Sequence, residues 1–176
     1  MKYYLIAGEP SGDLHGSKLI AGLRKADPQA EFRFWGGDLM AAEGGEANLA
    51  MHYREASFFG FMTVLRSLRK IGRQFGECRA DVERFAPDVL ILIDYPGFNI
   101  RFAKKMHKLG IPVYWYISPQ VWMWGKKRIP VLAKICRKML VIFPFEVEVF
   151  AKTPLKPDFV GHPLVDIVES RKDLSV

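Results

Sequence analysis

Short apolar runs alternate with longer amphipathic stretches along the first half of the chain. Lys2 to Ala7, Glu31 to Trp35 and Val89 to Ile93 are mainly apolar and end close to glycines, a pattern typical of β-strands. Asp13 to Ala26 and Thr63 to Phe85 instead carry apolar residues at helical spacing. The chain is therefore predicted to begin with strands and helices in alternation.

The second half of the chain continues this alternation. Helices are predicted from about Asn99 to Leu109, near Lys126 to Cys136 and after Pro144. Strands are predicted at Val113 to Ile117, at Met139 to Phe143 and around Phe159. Only Met40 to Glu55 shows no clear pattern. Apolar strands that alternate with helices indicate an α/β fold, a doubly wound, mostly parallel sheet with helices on both faces.

Length and cysteine content fit one domain in a reducing compartment. A chain of 176 residues can bury a core without disulfides or metal. Cys78 and Cys136 have no zinc-ligand spacing, so we expect them to pack as small hydrophobes in a cytoplasmic protein. Tyr3 to Ala7 is too short for the apolar part of a signal peptide, and no stretch approaches the ~18 residues of a membrane span.

Positive charge predominates, with 26 Lys and Arg against 19 Asp and Glu, and it implies anionic partners. Nucleic acid, anionic lipid and phosphorylated small molecules would all fit this charge, so charge alone does not choose among them. The four histidines are scattered and form no metal-binding motif, so no metal site is expected.

A lone carboxylate, Asp94, directly follows the apolar run Val89 to Ile93 and precedes Tyr95-Pro96-Gly97. Ligands of open α/β sheets bind beyond the carboxyl ends of the strands, so Asp94 is the first candidate for chemistry. The alternative is that Asp94 orders the turn or caps the following helix. Asn99 is itself a good candidate for that cap.

The loop after the first strand, Gly8-Glu9-Pro10-Ser11-Gly12-Asp13, opens a helix, where backbone amides favour anions. Its spacing matches neither a dinucleotide fingerprint nor a P-loop. Ser11 or Asp13 could simply cap the helix. A cap needs only one side-chain oxygen, so it does not account for the additional carboxylate of Glu9. If the first strand lies beside the strand ending at Asp94, both carboxylates can face one cleft, which suggests proton transfer.

The segment Ser118 to Arg128 joins amide, aromatic and cationic side chains in one loop. Such a loop can hold an amphiphilic anion, with aromatic rings against sugar or apolar surfaces and cations on phosphate. Alternatively the tryptophans belong to the core or a lid and the cations are solvated. The candidate substrate contacts are Ser11, Gly12, Asp13, Asn99, Ser118, Gln120, Trp122, Lys127 and Arg128.

The start of the long helix is more apolar than one buried stripe requires. Phe58 to Met62 runs into Val64-Leu65 beside basic residues, which is typical of a segment that lies on an anionic membrane or binds acyl chains. Packing into the core is the alternative, and we expect it for the carboxyl-terminal half of this helix. The candidate membrane or acyl contacts are Phe58, Phe61, Met62, Val64, Leu65, Leu68, Arg69 and Lys70.

Four blocks together resemble the lipid-A-disaccharide synthase family, and the resemblance covers essentially the whole chain. They are Gly8 to Asp13, Ile93 to Asn99, Ser118 to Trp124 and Phe159 to Pro163, in the family's order and approximate spacing. The resemblance implies the Rossmann-like amino-terminal domain of a two-domain, inverting GT-B glycosyltransferase. Such an enzyme transfers 2,3-diacylglucosamine from UDP-2,3-diacylglucosamine to 2,3-diacylglucosamine 1-phosphate, giving a β-1,6 disaccharide 1-phosphate and UDP.

For individual residues, the resemblance implies that Asp94 is the base that takes the proton of the acceptor's 6-hydroxyl. Glu9 becomes a second group for positioning or proton transfer. The segment Phe58 to Arg73 would dock peripherally on the cytoplasmic face of the inner membrane, and no metal, cofactor or nucleic acid is implied. Position 97 is Gly where some relatives carry Asp, and position 10 is Pro, so no role of those side chains is carried over.

The family's members are longer, because a second domain binds the UDP-sugar. We therefore expect residues 1–162 to be the acceptor-binding domain and residues 163–176 the start of a linker to a carboxyl-terminal domain. The chain alone should have negligible transferase activity, and a homodimer of the full-length protein stays open. Two other classes also stay open, a soluble nucleotide-binding enzyme that uses Gly8 to Gly16 and a nonenzymatic membrane module that needs only Phe58 to Arg73.

Overall fold

The computed structural model describes residues 1–56 and 64–169 of the chain. Within these residues, the strands are β1 (Lys2–Ala7), β2 (Glu31–Gly36), β3 (Leu49–His52), β4 (Val89–Ile93), β5 (Val113–Tyr116), β6 (Lys138–Val141) and β7 (Asp158–Phe159). The helices are α1 (Pro10–Ala26), α2 (Asp38–Gly44), α3 (Tyr53–Ala56), α4 (Val64–Phe85), α5 (Pro96–Lys108), α6 (Val121–Trp124), α7 (Ile129–Ile135), α8 (Glu146–Val149) and α9 (Pro163–Glu169). Two 3-10 turns cover Glu46–Asn48 and Lys126–Arg128.

The described strands form one sheet in the order β3-β2-β1-β4-β5-β6-β7, and all neighbours pair in parallel. The predicted α/β fold is confirmed. The chain moves outward from β1 to β3 and then returns to place β4 beside β1, with Ala7 opposite Ile93. Strand order therefore reverses between β1 and β4, and ligands of such sheets bind in the crevice at this reversal.

Each face of the sheet buries its own apolar cluster, because successive strand residues point to opposite faces. In β1, Tyr4 and Ile6 join the cluster that packs against α4, α5 and α7, whereas Leu5 and Ala7 join the cluster under α1 and α2. Helices thus cover both faces, as predicted. A strand enclosed in this way is apolar along its whole length, as all five residues of β4 are.

The carboxyl-terminal half of α4 is a core helix, as expected. Cys78 and Val82 are fully buried. The carboxylate of Asp81 accepts hydrogen bonds from the Tyr4 hydroxyl at 2.8 Å and from the Arg33 guanidinium at 2.9 and 3.0 Å. These bonds join α4 to β1 and β2. Both cysteines of the chain are free and buried, which confirms that they pack as hydrophobes.

The structure corrects several element boundaries. The region Met40 to Glu55, which shows no clear sequence pattern, holds most of α2, a 3-10 turn, the edge strand β3 and most of α3. The helices α1 and α5 begin at Pro10 and Pro96, earlier than their predicted starts at Asp13 and Asn99. Proline fits the first turn of a helix because the amide it lacks would have no helical partner there.

Candidate active site

The turn after β4 is strained and is held in place by its neighbours. Asp94 and Tyr95 have φ values of 41° and 47°, in the left-handed region that residues other than glycine rarely adopt. The Asn99 side-chain amide donates to the Asp94 carbonyl at 2.9 Å, and the Asp94 amide donates to the Tyr116 carbonyl of β5 at 3.2 Å. The strain and these bonds leave the Asp94 carboxylate half-buried at the end of the strand, outside the core.

Asn99 supports this turn and does not cap a helix. Tyr95 occupies the N-cap position of α5 and no side chain caps it, so the predicted Asn99 cap is wrong. The Asn99 side chain is fully enclosed beneath Asp94. In this structure it holds the main chain of the turn, and it offers no surface for the predicted substrate contact.

The pKa of Asp94 is raised to about 6. Burial is the larger cause and the negative charge of Glu9 is the second, while a hydrogen bond from the Tyr95 amide acts in the opposite direction. The two predicted acids thus lie close enough to interact at the reversal between β1 and β4. A carboxylate with this pKa is mostly ionised at neutral pH and is a better proton acceptor than an ordinary aspartate.

We expect Glu9→Gln to lower the pKa of Asp94, because it removes the repulsion and leaves the burial. Titration of carbon-13-labelled carboxyl groups by NMR would measure this on the chain itself. The matched control is Glu43→Gln, which changes an exposed acid on α2 and should leave the titration of Asp94 unchanged. If the titration midpoint of Asp94 stays the same in Glu9→Gln, the two carboxylates do not interact as proposed.

The loop after β1 packs closely against the turn after β4. A Cβ at Gly8 would overlap the Tyr95 ring, so only glycine permits this approach. Ser11 is exposed, and its hydroxyl donates to the Glu9 carboxylate at 3.2 Å. No side chain caps α1, so the alternative that Ser11 or Asp13 caps this helix is wrong.

Asp13 caps a different helix. Its carboxylate is 3% exposed and accepts hydrogen bonds from the backbone amides of Gly37 at 2.7 Å, Met40 at 3.0 Å and Leu39 at 3.1 Å. These amides belong to the start of α2, which would otherwise lack partners. Gly12 is buried against Ala7 of β1. The structure thus gives both residues supporting positions, and their predicted substrate contacts have no open surface here.

A cavity of about 340 Å³ opens beside Asp94, beyond the carboxyl ends of β4, β5 and β6. We call it the Asp94 cavity. Ser118 and Gln120, two predicted substrate contacts, line it together with Asp94. The other lining residues are Pro96, Ile117, Ile142, Phe143 and Glu146. Carboxylate, hydroxyl and amide groups therefore meet here on a partly apolar wall, as is usual in sites for small polar ligands.

Other predicted substrate contacts lie around the rim. Trp122 is half-buried and meets the exposed Phe145 ring edge-on, with 5.1 Å between ring centroids. Lys127 and Arg128 are exposed on the 3-10 turn after α6 and do not line the Asp94 cavity. These two cations can meet only a ligand that extends out of the cavity.

Glu146 lines the Asp94 cavity, and the sequence analysis missed it. It is 2% exposed, and its Oε2 accepts hydrogen bonds from the amides of Phe143 at 3.1 Å and Ile142 at 3.3 Å. Burial raises its pKa, and these hydrogen bonds partly oppose the rise. The sequence does contain a signal for Glu146, because this acid closely follows the apolar strand β6. Residues that follow parallel strands lie at the same edge of the sheet as Asp94. Glutamate is common at the start of a helix, so this position alone did not indicate a functional role.

A larger groove of about 610 Å³ adjoins the Asp94 cavity, and the two share Ile142 and Phe143. Its walls are mainly apolar and include Leu19, Tyr116, Leu140 and Phe159. The smaller cavity is the better candidate for chemistry because it holds the carboxylate with the raised pKa.

The structure does not describe the side chains of the predicted membrane contacts. Phe58, Phe61 and Met62 lie outside the described residues, and for Val64, Leu65, Leu68, Arg69 and Lys70 only the helical backbone of α4 is described. The end of α4 leads directly into the amino end of β4. The helix therefore begins towards the opposite edge of the sheet, at the carboxyl ends of the strands, where the Asp94 cavity lies. Among the helices of residues 1–56 and 64–169, none is long and apolar enough to span a bilayer.

Curated lipid-A-disaccharide synthases match nearly the whole of this chain. Lipid-A-disaccharide synthase from Koribacter versatilis is 36% identical over 180 residues, which is 100% of this chain and 47% of the relative. The enzyme of that name from Geobacter metallireducens is 40% identical over 164 residues, which is 93% of this chain and 42% of the relative. The chain thus spans about half the length of the curated relatives it matches.

Two solved structures share the fold at low sequence identity. UDP-GlcNAc 2-epimerase from Neisseria meningitidis, bound to UDP-GlcNAc, superposes with a TM-score of 0.68 at 11% identity, over 98% of this chain and 50% of that one. MurG from Acinetobacter baumannii gives a TM-score of 0.54 at 12% identity, over 93% of this chain and 46% of that one. Both support a Rossmann-like α/β fold.

A family model described as lipid-A-disaccharide synthetase matches residues 3–175, nearly the whole chain. This match agrees with the identities to the two curated relatives. The chain therefore belongs to the lipid-A-disaccharide synthetase family.

Proposed function

We propose that this chain is the acceptor-binding half of a lipid-A-disaccharide synthase. The full-length enzyme transfers 2,3-diacylglucosamine from UDP-2,3-diacylglucosamine to the 6-hydroxyl of 2,3-diacylglucosamine 1-phosphate. It forms a β-1,6 disaccharide 1-phosphate and releases UDP. The observation that carries the proposal is the position of Asp94, a half-buried carboxylate with a raised pKa in a cavity at the strand-order reversal.

In this mechanism Asp94 accepts the proton of the acceptor's 6-hydroxyl while that oxygen attacks the anomeric carbon of the donor. The apolar walls formed by Pro96, Ile117 and Phe143 limit water around the reacting oxygen. Glu9 keeps the pKa of Asp94 high and so makes Asp94 a stronger base. The acceptor's 1-phosphate extends towards Lys127 and Arg128, which are free to meet it at the rim.

The donor binds outside this chain, in the carboxyl-terminal half of the full-length protein. Length supports this, since the chain covers less than half of the curated relatives. We place the acceptor domain at residues 1–162 and the start of the linker at residues 163–176. Transfer needs neither a metal nor a cofactor here, because a helix N-terminus and side chains of the donor domain can neutralise the departing UDP.

The test of this function is a transfer assay with the full-length protein. We expect one disaccharide 1-phosphate for each UDP released, and no transfer to an acceptor that lacks the 6-hydroxyl. Mass spectrometry would identify the disaccharide, and a coupled assay would count the UDP. UDP release without disaccharide would instead indicate a hydrolase, and no release at all would contradict transferase activity.

We further propose that the protein attaches peripherally to the cytoplasmic face of the inner membrane through the segment Phe58 to Arg73. Replacing four apolar residues of this segment by serine should release the protein from vesicles that contain anionic lipid, because the buried apolar area is lost. The four residues are Met62, Val64, Leu65 and Leu68. Sedimentation with the vesicles would measure the bound fraction.

The control for membrane attachment replaces the exposed Leu39 and Leu109 by serine, which should leave vesicle binding unchanged. Circular dichroism of both variants reports whether they stay folded. Loss of the folded state in the four-residue variant would assign its side chains to the core, and unchanged vesicle binding would assign attachment to another surface.

A further inference from the structure

A second buried carboxylate, that of Glu146, lines the Asp94 cavity just after β6. Both of its backbone hydrogen bonds end on one oxygen, Oε2. The Ser118 and Trp122 side chains also lie close enough to this carboxylate to oppose the rise of its pKa that burial causes. Glu146 nevertheless lines the Asp94 cavity, so a ligand bound there can reach the edge of this carboxylate.

Two carboxylates therefore face one small space from different strands. Asp94 follows β4 and Glu146 follows β6, and the loop after β5, with Ile117 and Ser118, lies between them. Strands two places apart are separated by roughly 10 Å, so side chains from both can touch one sugar ring. Ionised carboxylates only accept hydrogen bonds, and their natural partners on an uncharged ligand are hydroxyl groups.

The proposed acceptor has few hydroxyl groups left. In 2,3-diacylglucosamine 1-phosphate, positions 1, 2 and 3 of the sugar carry phosphate or acyl groups, and the oxygen on carbon 5 closes the ring. Only the hydroxyls at positions 4 and 6 are free. They lie on the same edge of the ring, attached to carbons on either side of carbon 5. One carboxylate can thus take the 6-hydroxyl while the other holds the 4-hydroxyl.

We propose that Glu146 accepts a hydrogen bond from the 4-hydroxyl of the acceptor and so orients the 6-hydroxyl towards Asp94. This assignment rests on the proposed function. It makes Glu146 a residue that determines acceptor specificity, because an acceptor without an equatorial 4-hydroxyl cannot form this hydrogen bond. A hydrogen bond to a charged group is worth about 10- to 100-fold in binding or rate.

The experiment compares the natural acceptor with its 4-deoxy analogue in the full-length enzyme and in Glu146→Gln. Glutamine keeps the side-chain length and an oxygen for the amides of Ile142 and Phe143. For the unchanged enzyme, we expect kcat/KM to be about 10- to 100-fold lower with the 4-deoxy acceptor. In Glu146→Gln, kcat/KM with the natural acceptor should fall, and the 4-deoxy penalty should shrink to less than about threefold, because the charged partner of that hydroxyl is gone.

The control variant is Glu148→Gln, which changes an exposed acid on α8 and should keep the full 4-deoxy penalty. A purely structural Glu146 would lower the rates with both acceptors by the same factor, and equal penalties in the unchanged enzyme and Glu146→Gln would overturn the proposal. If Glu146→Gln does not fold, the unchanged enzyme alone still decides, since equal rates with the two acceptors exclude the contact. Disaccharide formation without 4-deoxy discrimination defeats only this assignment, whereas no disaccharide from the natural acceptor defeats the proposed function as well.

Discussion

Asp94→Asn should lower the turnover of the full-length enzyme by at least ~10²-fold, the lower range for loss of a general base. Asparagine has nearly the same shape and keeps the main-chain bonds of the strained turn, but it cannot take the proton of the acceptor hydroxyl. KM for the acceptor should change little, because the change affects chiefly the step in which charge moves. Initial rates of UDP release at saturating acceptor would measure the effect.

The pH profile gives the same prediction a second readout. Burial, followed by the charge of Glu9, raises the pKa of Asp94 to about 6, so its basic form predominates above this pH. Activity should therefore be present above about pH 6 and decline as the pH falls through this value. In Asp94→Asn the decline near pH 6 should disappear from the residual activity.

The matched control for Asp94→Asn lies at the other end of the same strand. Asp88 is exposed just before β4 and accepts a hydrogen bond from the Lys2 amide at 2.8 Å. Asp88→Asn keeps an acceptor for that amide and should leave turnover unchanged. Unchanged turnover in Asp94→Asn, or an equal loss in both variants, would remove Asp94 from the mechanism.

Asp13→Ala should lower the free energy of unfolding by about 3 kcal/mol. It removes three hydrogen bonds to a buried carboxylate and leaves the amides of Gly37, Leu39 and Met40 without partners at the start of α2. Denaturant unfolding followed by circular dichroism would measure the change. The effect should be large because alanine offers no replacement acceptor and Asp13 is buried.

Two further variants separate the role of the carboxylate from that of side-chain size. Asp13→Asn keeps one acceptor oxygen and should cost less than Asp13→Ala. Asp38→Ala changes an exposed acid in the first turn of the same helix and should shift stability by less than about 0.5 kcal/mol. Equal small effects of Asp13→Ala and Asp38→Ala would show that the cap contributes little.

The central strands were predictable because burial on both faces leaves a continuous apolar run. The bounds of β1 and β4 match the predicted Lys2 to Ala7 and Val89 to Ile93. The edge strand β3 was not predicted, since its four residues are only partly buried and form no such run. Its strand conformation depends on pairing with β2, which local sequence does not reveal.

The candidate site divides in the same way. Asp94 and Glu9 stand out because each follows a recognisable strand, and neighbouring parallel strands bring such residues together. Asp13 was misjudged, because a carboxylate near a helix start suggests a cap for that helix, whereas the packing of α1 beside β2 turns it towards α2. Glu146 was missed because its place in the cavity depends on the turn after β6 folding back on itself.

The sequence by itself determined the α/β class, the central strands and the family. The physical reason is that apolar periodicity and the order of the motifs can be read directly along the chain. Tertiary structure alone decided which acids share a cavity, which polar residues are used up in holding turns, and how far burial and a neighbouring charge raise the pKa of Asp94. These depend on distances between residues far apart in the chain, which only the packed sheet defines.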